Sequence, residues 1–265
     1  TAEDLARGEK KWDTVAPTSE PMAEGHIVPR QLSVSDLATL KGHWVDAAKR
    51  ALEAGFDVLE IHNAHGYLMH QFLSPLSNKR SDAYGGDFAG RTRFPLEVAQ
   101  ALRAAWPQDK PVFVRVSAVD GLDGGWTLDD TVAYARELKA RGIDVIDCSS
   151  GGLFGSATAA RVKRSWGFQV PYAERVRREV GIKSMAVGLI VDPFVAEDIL
   201  QQGRADLIAI AREALVNPCW AQMAEIALGR KAFDAMDDWP VQYGWWLKHR
   251  ERSIEQIRAD EAAAR

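Results

Sequence analysis

Five times along the chain, a short apolar run gives way to a stretch whose apolar positions recur at helical spacing. The runs at 56–61, 112–116, 145–148, 185–187 and 207–211 predict strands. They are apolar on nearly every residue, as in a sheet buried on both faces. The stretches at 91–106, 128–141, 172–180 and 193–201 predict helices, followed by a short helical turn and a helix around 220–228. Gly142, Gly181 and Gly203 stand just past three of these helices, where a left-handed C-terminal residue is wanted. One more helix precedes the first strand. Ser33 or Ser35 can cap it, Leu37, Leu40, Trp44, Ala47, Ala48 and Leu52 recur along it, and Gly55 stops it. Strand–helix alternation with short links predicts an α/β fold, a parallel sheet with covering helices.

A complete (β/α)8 TIM barrel takes about 250 residues. Only about five strands are legible in this 265-residue chain, and the first helix reads as the partner of an absent strand. The expected organisation is a partial barrel domain over 1–265. Residues 1–32, with Pro17, Pro21, Gly25 and Pro29, form an extended segment; 33–245 hold the βα units; 246–265 are a charged, Ala-rich helix or tail in solvent. Thr1 stands where translation would place methionine, so the numbering begins inside a longer protein or the chain is processed.

Composition narrows the function. The chain is 46% hydrophobic with a net charge of −4, which lacks the basic footprint of a nucleic-acid binder. Its two cysteines, Cys148 and Cys219, lie far apart, suit a reducing compartment and cannot build a cysteine-rich metal or iron–sulfur site. No apolar run approaches the ~18 residues of a membrane span, and no secretory signal is legible. The expected setting is the cytoplasm, with no metal.

The segment Ile61-His62-Asn63-Ala64-His65-Gly66-Tyr67 follows an apolar run directly and so lies at a strand's C-terminal end, where β/α barrels build their active sites. His62 and His65 together can donate two hydrogen bonds to one carbonyl oxygen and stabilise enolate charge there. Tyr67 is a candidate proton donor. The alternatives are a zinc pair, which lacks a third His or Cys at suitable spacing, or two satisfied polar loop residues. Arg115 interrupts the apolar run Val112-Phe113-Val114-Arg115-Val116, and no acid shares that run. It requires a bound anion, such as a reduced flavin ring, or a carboxylate from a neighbouring strand. Gly188 closes one strand, and Ala211-Arg212 closes the next ahead of a short helical turn. In barrels these last two loops commonly hold a phosphate, although a turn glycine and a surface charge would look the same. The polar loop 77–86, with Arg91 and Arg93 after it, reads as structural, its arginines and Asp82 tying it down. Tyr243, Trp245 and Trp246 read as core or interface packing first and as pocket lining second.

These pieces, in this order, resemble the old yellow enzyme family of flavin-dependent ene-reductases, and most closely its bacterial, xenobiotic-reductase-like branch. The resemblance runs from about residue 33 to 245. It rests on Ala54-Gly55-Phe56 through His62-Asn63-Ala64-His65-Gly66-Tyr67-Leu68, on Phe72-Leu73-Ser74-Pro75, and on Ser77-Asn78-Lys79-Arg80 to Tyr84-Gly85-Gly86. Arg91-Thr92-Arg93-Phe94, Arg115, Val187-Gly188-Leu189-Ile190, Gly203-Arg204-Ala205-Asp206-Leu207 and Ala211-Arg212-Glu213 extend it. It implies an FMN enzyme that takes hydride from NADPH, or NADH, and gives it to the β-carbon of an enone or nitroalkene. His62 and His65 would bind the substrate oxygen, with His62 also near the cofactor, and Tyr67 would protonate Cα. Arg115 would contact the flavin, while Gly188, Ala211 and Arg212 would hold the phosphate.

The chain departs from the family in carrying Ala211 where Gly is usual. Gly244, Trp245 and Trp246 follow Val241-Gln242-Tyr243 where some relatives place an intersubunit arginine. Family members begin with about three further βα units, so this chain is expected to supply roughly strands 4–8, completed by a second chain carrying strands 1–3. A homo-oligomer is compatible with this. Two other readings stand beside it: a flavin-free phosphate-binding barrel lyase or isomerase, which would want a strand-end Lys or Glu as base, and a non-catalytic complementing fragment.

Overall fold

The computed structural model describes residues 6–10, 12–22, 26–153 and 162–264. Near its start two short strands, β1 (Val15–Ala16) and β2 (Arg30–Gln31), pair in parallel. Helix α1 (Val34–Glu53) follows. Ser33 caps it in a reciprocal box: its hydroxyl accepts from the Asp36 N–H while the Asp36 side chain accepts from the Ser33 N–H. The main sheet is parallel and runs in chain order: β3 (Leu59–Asn63), β4 (Val112–Ser117), β5 (Val145–Ser149), β6 (Lys183–Val187) and β7 (Leu207–Ala209). Helices α2 (Leu68–Leu73) and α3 (Phe88–Ala105) connect β3 to β4. Helices α4 (Leu128–Ala140), α5 (Val170–Val180) and α6 (Pro193–Gln201) make the next three crossovers. After β7 come α7 (Arg212–Val216), α8 (Trp220–Ala227), α9 (Ala232–Ala235) and α10 (Val241–Ala263). Among the described residues the sheet is open, with β3 and β7 at its edges. No described helix is long and apolar enough to cross a membrane.

The predicted alternation is present, with shifted boundaries. The first strand begins at Leu59 rather than 56 because Phe56 is spent on the helix before it. Its N–H reaches back to the Ala51 carbonyl at 3.1 Å, and Gly55, at φ 87°, makes the left-handed turn of a Schellman cap. Strand pairing starts only where Leu59 meets Val112. At the other edge, β7 stops at Ala209 rather than 211, since Ala211 leaves extended geometry (φ −131°, ψ −74°) to start α7. The boundary expected between 245 and 246 is absent: α10 runs straight through it. Tyr243, Trp245 and Trp246 lie on that helix, each more than half exposed, so they are not core in this chain. The loop at 77–86 is tied down as expected. Arg80 grips Asp82 with two nitrogens and also donates to the carbonyls of Pro17 and Leu32, fastening the N-terminal segment.

Strand alternation gives the sheet two unlike faces. Val112, Val114, Ile146, Cys148 and Ala186 point toward the helices and are fully buried, in one core with Phe72, Phe94, Val98, Leu138 and Val176. On the opposite face, one row across the register reads His62, Arg115, Asp147, Met185 and Leu207. That face carries the charges.

Candidate active site

The turn after β3 is unusual. His65 has φ 59°, a left-handed conformation that residues with a Cβ disfavour, and Gly66 continues it at φ 75°. Tyr67 is extended and stands at the start of α2. The turn lies directly against the loop after β5. A Cβ on Gly66 would fall 2.3 Å from the Gly152 carbonyl oxygen, and one on Gly152 would fall 2.7 Å from the His65 Cα. Glycine at both positions lets the two backbones touch. The His65 N–H donates to Ser117 Oγ at 3.0 Å, and its ring Nε2 shares a 2.7 Å hydrogen bond with Ser149 Oγ.

This geometry gathers the three predicted rings. The His62 and His65 centroids are 5.2 Å apart, and those of His62 and Tyr67 are 5.4 Å apart. Burial pushes the His65 imidazole down to about 4, with the Arg115 charge adding repulsion. His62 is lowered as well, by burial and then by the Arg115 charge. Both rings are therefore neutral near pH 7, so each carries a single N–H.

Arg115 has a carboxylate partner, one of the two arrangements its position allowed. Asp147, its register neighbour on β5, accepts from Nη1 at 2.7 Å. The pair is only half made, since Arg115 Nε and Asp147 Oδ1 are both buried without a partner. Burial pushes Asp147 up to about 7, with Glu60 raising it further and Arg115 pulling it down. Glu60, on the same face, is raised by burial, which the Arg115 charge opposes.

A cavity of about 470 Å³ opens at the C-terminal ends of β4 to β7. His65, Arg115, Gly188, Ala211 and Arg212 all line it, which puts four of the predicted cofactor residues around one space. Gly188 sits at φ 119°, and a Cβ there would meet Gln169 Nε2 at 2.9 Å and the Phe168 ring at 3.0 Å. His62 and Tyr67 stand beside this cavity rather than in its lining. Tyr67 opens instead onto a second cavity of about 460 Å³ beneath the N-terminal segment, lined also by Met22 and Ile27.

Several polar residues of the site were not singled out in the sequence. Ser149, Ser150 and Gln169 form a linked group: Ser150 Oγ donates to Gln169 Oε1 at 2.6 Å, and Gln169 Nε2 donates to the Val187 carbonyl at 3.2 Å. Ser149-Ser150-Gly151-Gly152 directly after an apolar run was the available signal. Asp147 was hidden inside that run, and His70 and Asp120 were indistinguishable from ordinary helix and loop residues.

Residues 6–230 match the NADH:flavin oxidoreductase / NADH oxidase family. The NADPH dehydrogenase of Geobacillus thermodenitrificans is 44% identical over 241 residues, 90% of this chain and 68% of that protein. The NADPH dehydrogenase of Bacillus subtilis is 43% identical over the same length and the same shares. The chain thus spans about two thirds of these relatives. Among solved structures, morphinone reductase superposes with a TM-score of 0.66 at 26% identity, covering 80% of this chain and 59% of that one. Histamine dehydrogenase from Rhizobium sp. 4-9 gives 0.70 at 26% identity, over 80% of this chain and 31% of its own.

Proposed function

Because the chain belongs to the NADH:flavin oxidoreductase / NADH oxidase family, we propose that it is the substrate- and phosphate-binding part of an FMN-dependent ene-reductase. The observation that carries this reading is the gathering of His62, His65 and Tyr67 beside a cavity rimmed by Arg115, Gly188, Ala211 and Arg212. The residues present fit FMN. The cavity is of cofactor size, its wall at Gly188 is bare backbone packed closely by Gln169 and Phe168, and the buried Nε of Arg115 has no partner. When bound, FMN supplies hydride transfer from NADPH or NADH to the β-carbon of an α,β-unsaturated carbonyl or nitro compound.

The chain's own residues do the rest. Gly188 and Ala211, through backbone N–H groups, and Arg212, through its guanidinium, hold the phosphate. Arg115, on the cavity wall, would place its guanidinium charge beside the flavin and favour its anionic reduced form. His62 and His65 each donate one N–H to the substrate oxygen and stabilise the charge that develops there. For His65 this requires Ser149 to give its one hydroxyl proton to Nε2, at 2.7 Å, in place of Gln169 Oε1, at 3.3 Å, so that the ring proton resides on Nδ1 and is free for the substrate. Tyr67 delivers the proton to Cα.

Strands β3 to β7 take the places of strands 4–8 in an eight-stranded barrel, with strands 1–3 supplied by a complementary chain. The open edges of the sheet support this, as does the exposure of inner-face Leu207, 39% accessible. Purified protein should show a flavin absorption band that bleaches with NADPH and recovers on adding 2-cyclohexenone. Absence of flavin uptake by the completed assembly would overturn the reading. Mass spectrometry of the undigested sample tests completion; a single stable, folded, monomeric species of 29.3 kDa would contradict it.

A further inference from the structure

Directly behind the His65–Tyr67 turn lies a polar group that touches neither cavity. His70 on α2 is fully buried, as is Ser74, and Asp120 is nearly so. The Gly66 N–H donates to His70 Nδ1 at 2.9 Å, and the opposite ring nitrogen, Nε2, lies 2.8 Å from Asp120 Oδ1. Asp120 Oδ2 accepts from Ser74 Oγ at 2.6 Å and from the Trp126 N–H at 2.7 Å.

A backbone N–H can only donate, so Nδ1 of His70 must present its lone pair. The ring is then neutral with its single proton on Nε2, given to Asp120. We propose that the His70–Asp120 dyad is a positioning device: by fixing the proton of His70 on Nε2 it holds the left-handed turn that aims His65 and Tyr67. The inference rests on the reading of those two residues as the substrate-facing pair. Three other backbone contacts hold the turn: the His65 N–H donates to Ser117 Oγ, Gln71 Nε2 donates to the Gly66 carbonyl at 2.7 Å, and the Tyr67 N–H donates to the Ala64 carbonyl at 3.2 Å. Of these backbone contacts, that at the Gly66 N–H depends on where a ring proton sits.

The surroundings of Asp120 make this testable with a substitution of almost no change in shape. In Asp120→Asn the Trp126 N–H and the Ser74 hydroxyl still need an acceptor. The Asn carbonyl must therefore face them, and its NH2 must face His70. Nε2 is then forced to accept, the proton moves to Nδ1, and Nδ1–H confronts the Gly66 N–H. Exchanging Asp for Asn beside a hydrogen-bonded histidine inverts the tautomer in just this way.

In the intact 15N-labelled parent protein, NMR should show His70 protonated at Nε2, with a scalar coupling across the hydrogen bond between the Gly66 amide nitrogen and Nδ1. A parent His70 protonated at Nδ1 overturns the proposal, whatever the variants do. In Asp120→Asn the tautomer should invert, and exchange of the Gly66 amide should accelerate at least ~10-fold. Turnover of 2-cyclohexenone should fall at least ~10-fold while FMN content stays at the parent level. Ser74→Ala removes a donor but leaves the Trp126 N–H, so it should keep the parent tautomer. An uninverted ring in Asp120→Asn, an inverted one in Ser74→Ala, or an unchanged Gly66 exchange rate would each sink it. If the parent protein reduces no alkene, the proposed function fails, and the NMR experiments still decide whether the dyad holds the turn.

Discussion

Each strand of the five-stranded sheet contributes alternately to two faces that do opposite things. Toward the helices, Val112, Val114, Ile146, Cys148 and Ala186 are sealed from water and carry no charge. One residue further along each strand, Glu60, His62, Arg115 and Asp147 occupy the other face, and the Arg115–Asp147 pair there has incomplete partners. The first face supplies stability by burying apolar area, and the second spends part of it on charges held away from water. Residues for folding and residues for chemistry are thus interleaved at a period of two. A one-residue slip in register would exchange them.

The harshest test of this contrast is the same kind of substitution on each face. Ile146→Asp would bury an unpaired carboxylate among Phe, Leu and Val side chains, at a cost above about 5 kcal/mol, comparable with the whole stability of a domain. Circular dichroism should show no cooperative unfolding. Leu207→Asp, on the exposed inner face, should cost less than about 1 kcal/mol in this chain by itself. Similar melting curves for the two variants would erase the distinction between the faces.

The next effect comes from Asp147. Folded, it titrates at about 7, against 3.8 for an ordinary aspartate. Between those values the folded state holds a proton that the unfolded state has released. The Asp147 contribution to stability therefore falls as pH rises from about 4 to about 7 and then levels off, by at most about 4 kcal/mol, while His65, held down to about 4, contributes a rise over the same range that the parent and an Asp147 variant share. Asp147→Asn should remove that slope. Urea unfolding at pH 5 and pH 8 measures it; a variant with the same pH dependence as the parent would show that this carboxylate is not the source.

Tyr67→Phe should leave the fold intact, because the ring is 66% exposed. It should slow reoxidation by 2-cyclohexenone by about 100-fold, the range typical of a lost general acid, with a smaller effect on reduction by NADPH. Stopped-flow measurement separates the two half-reactions. Equal slowing of both would remove the proton-donor role.

The apolar face was readable from the sequence because periodicity reports burial, and local chemistry reported several ends: Ser33 as a cap and Gly181 as a left-handed stop, at φ 64°. His62, His65 and Tyr67 were marked by their place just after a strand, and Gly188 and Arg212 by the loops they close. What could not be read depends on register. Nothing within 112–116 names the partner of Arg115, because Asp147 comes beside it only when two strands align. Phe56 misled for the converse reason: an apolar residue next to a strand was already committed to the end of a helix. His70 was opaque because its role is to accept one backbone N–H, a contact that leaves no mark on composition or spacing.

The smallest expected effect sharpens the inner face most finely. His62 is exposed and neutral, so removing it costs little stability, and the contribution proposed for it is a single N–H donated to a developing negative charge. A phenolate mimics that charge without reacting. His62→Ala should therefore weaken binding of a phenol such as p-nitrophenol by about 10-fold, near the 1.5–3 kcal/mol of one hydrogen bond to a charged group. Because the imidazole titrates below its usual range, the parent's affinity should follow ionisation of the phenol near neutral pH and not that of His62. Titration by absorbance across pH 6 to 9 checks both points. Unchanged affinity in the variant would leave His65 to stabilise the oxygen alone, and an affinity that tracks an imidazole near 6.5 would mean that His62 works as a cation.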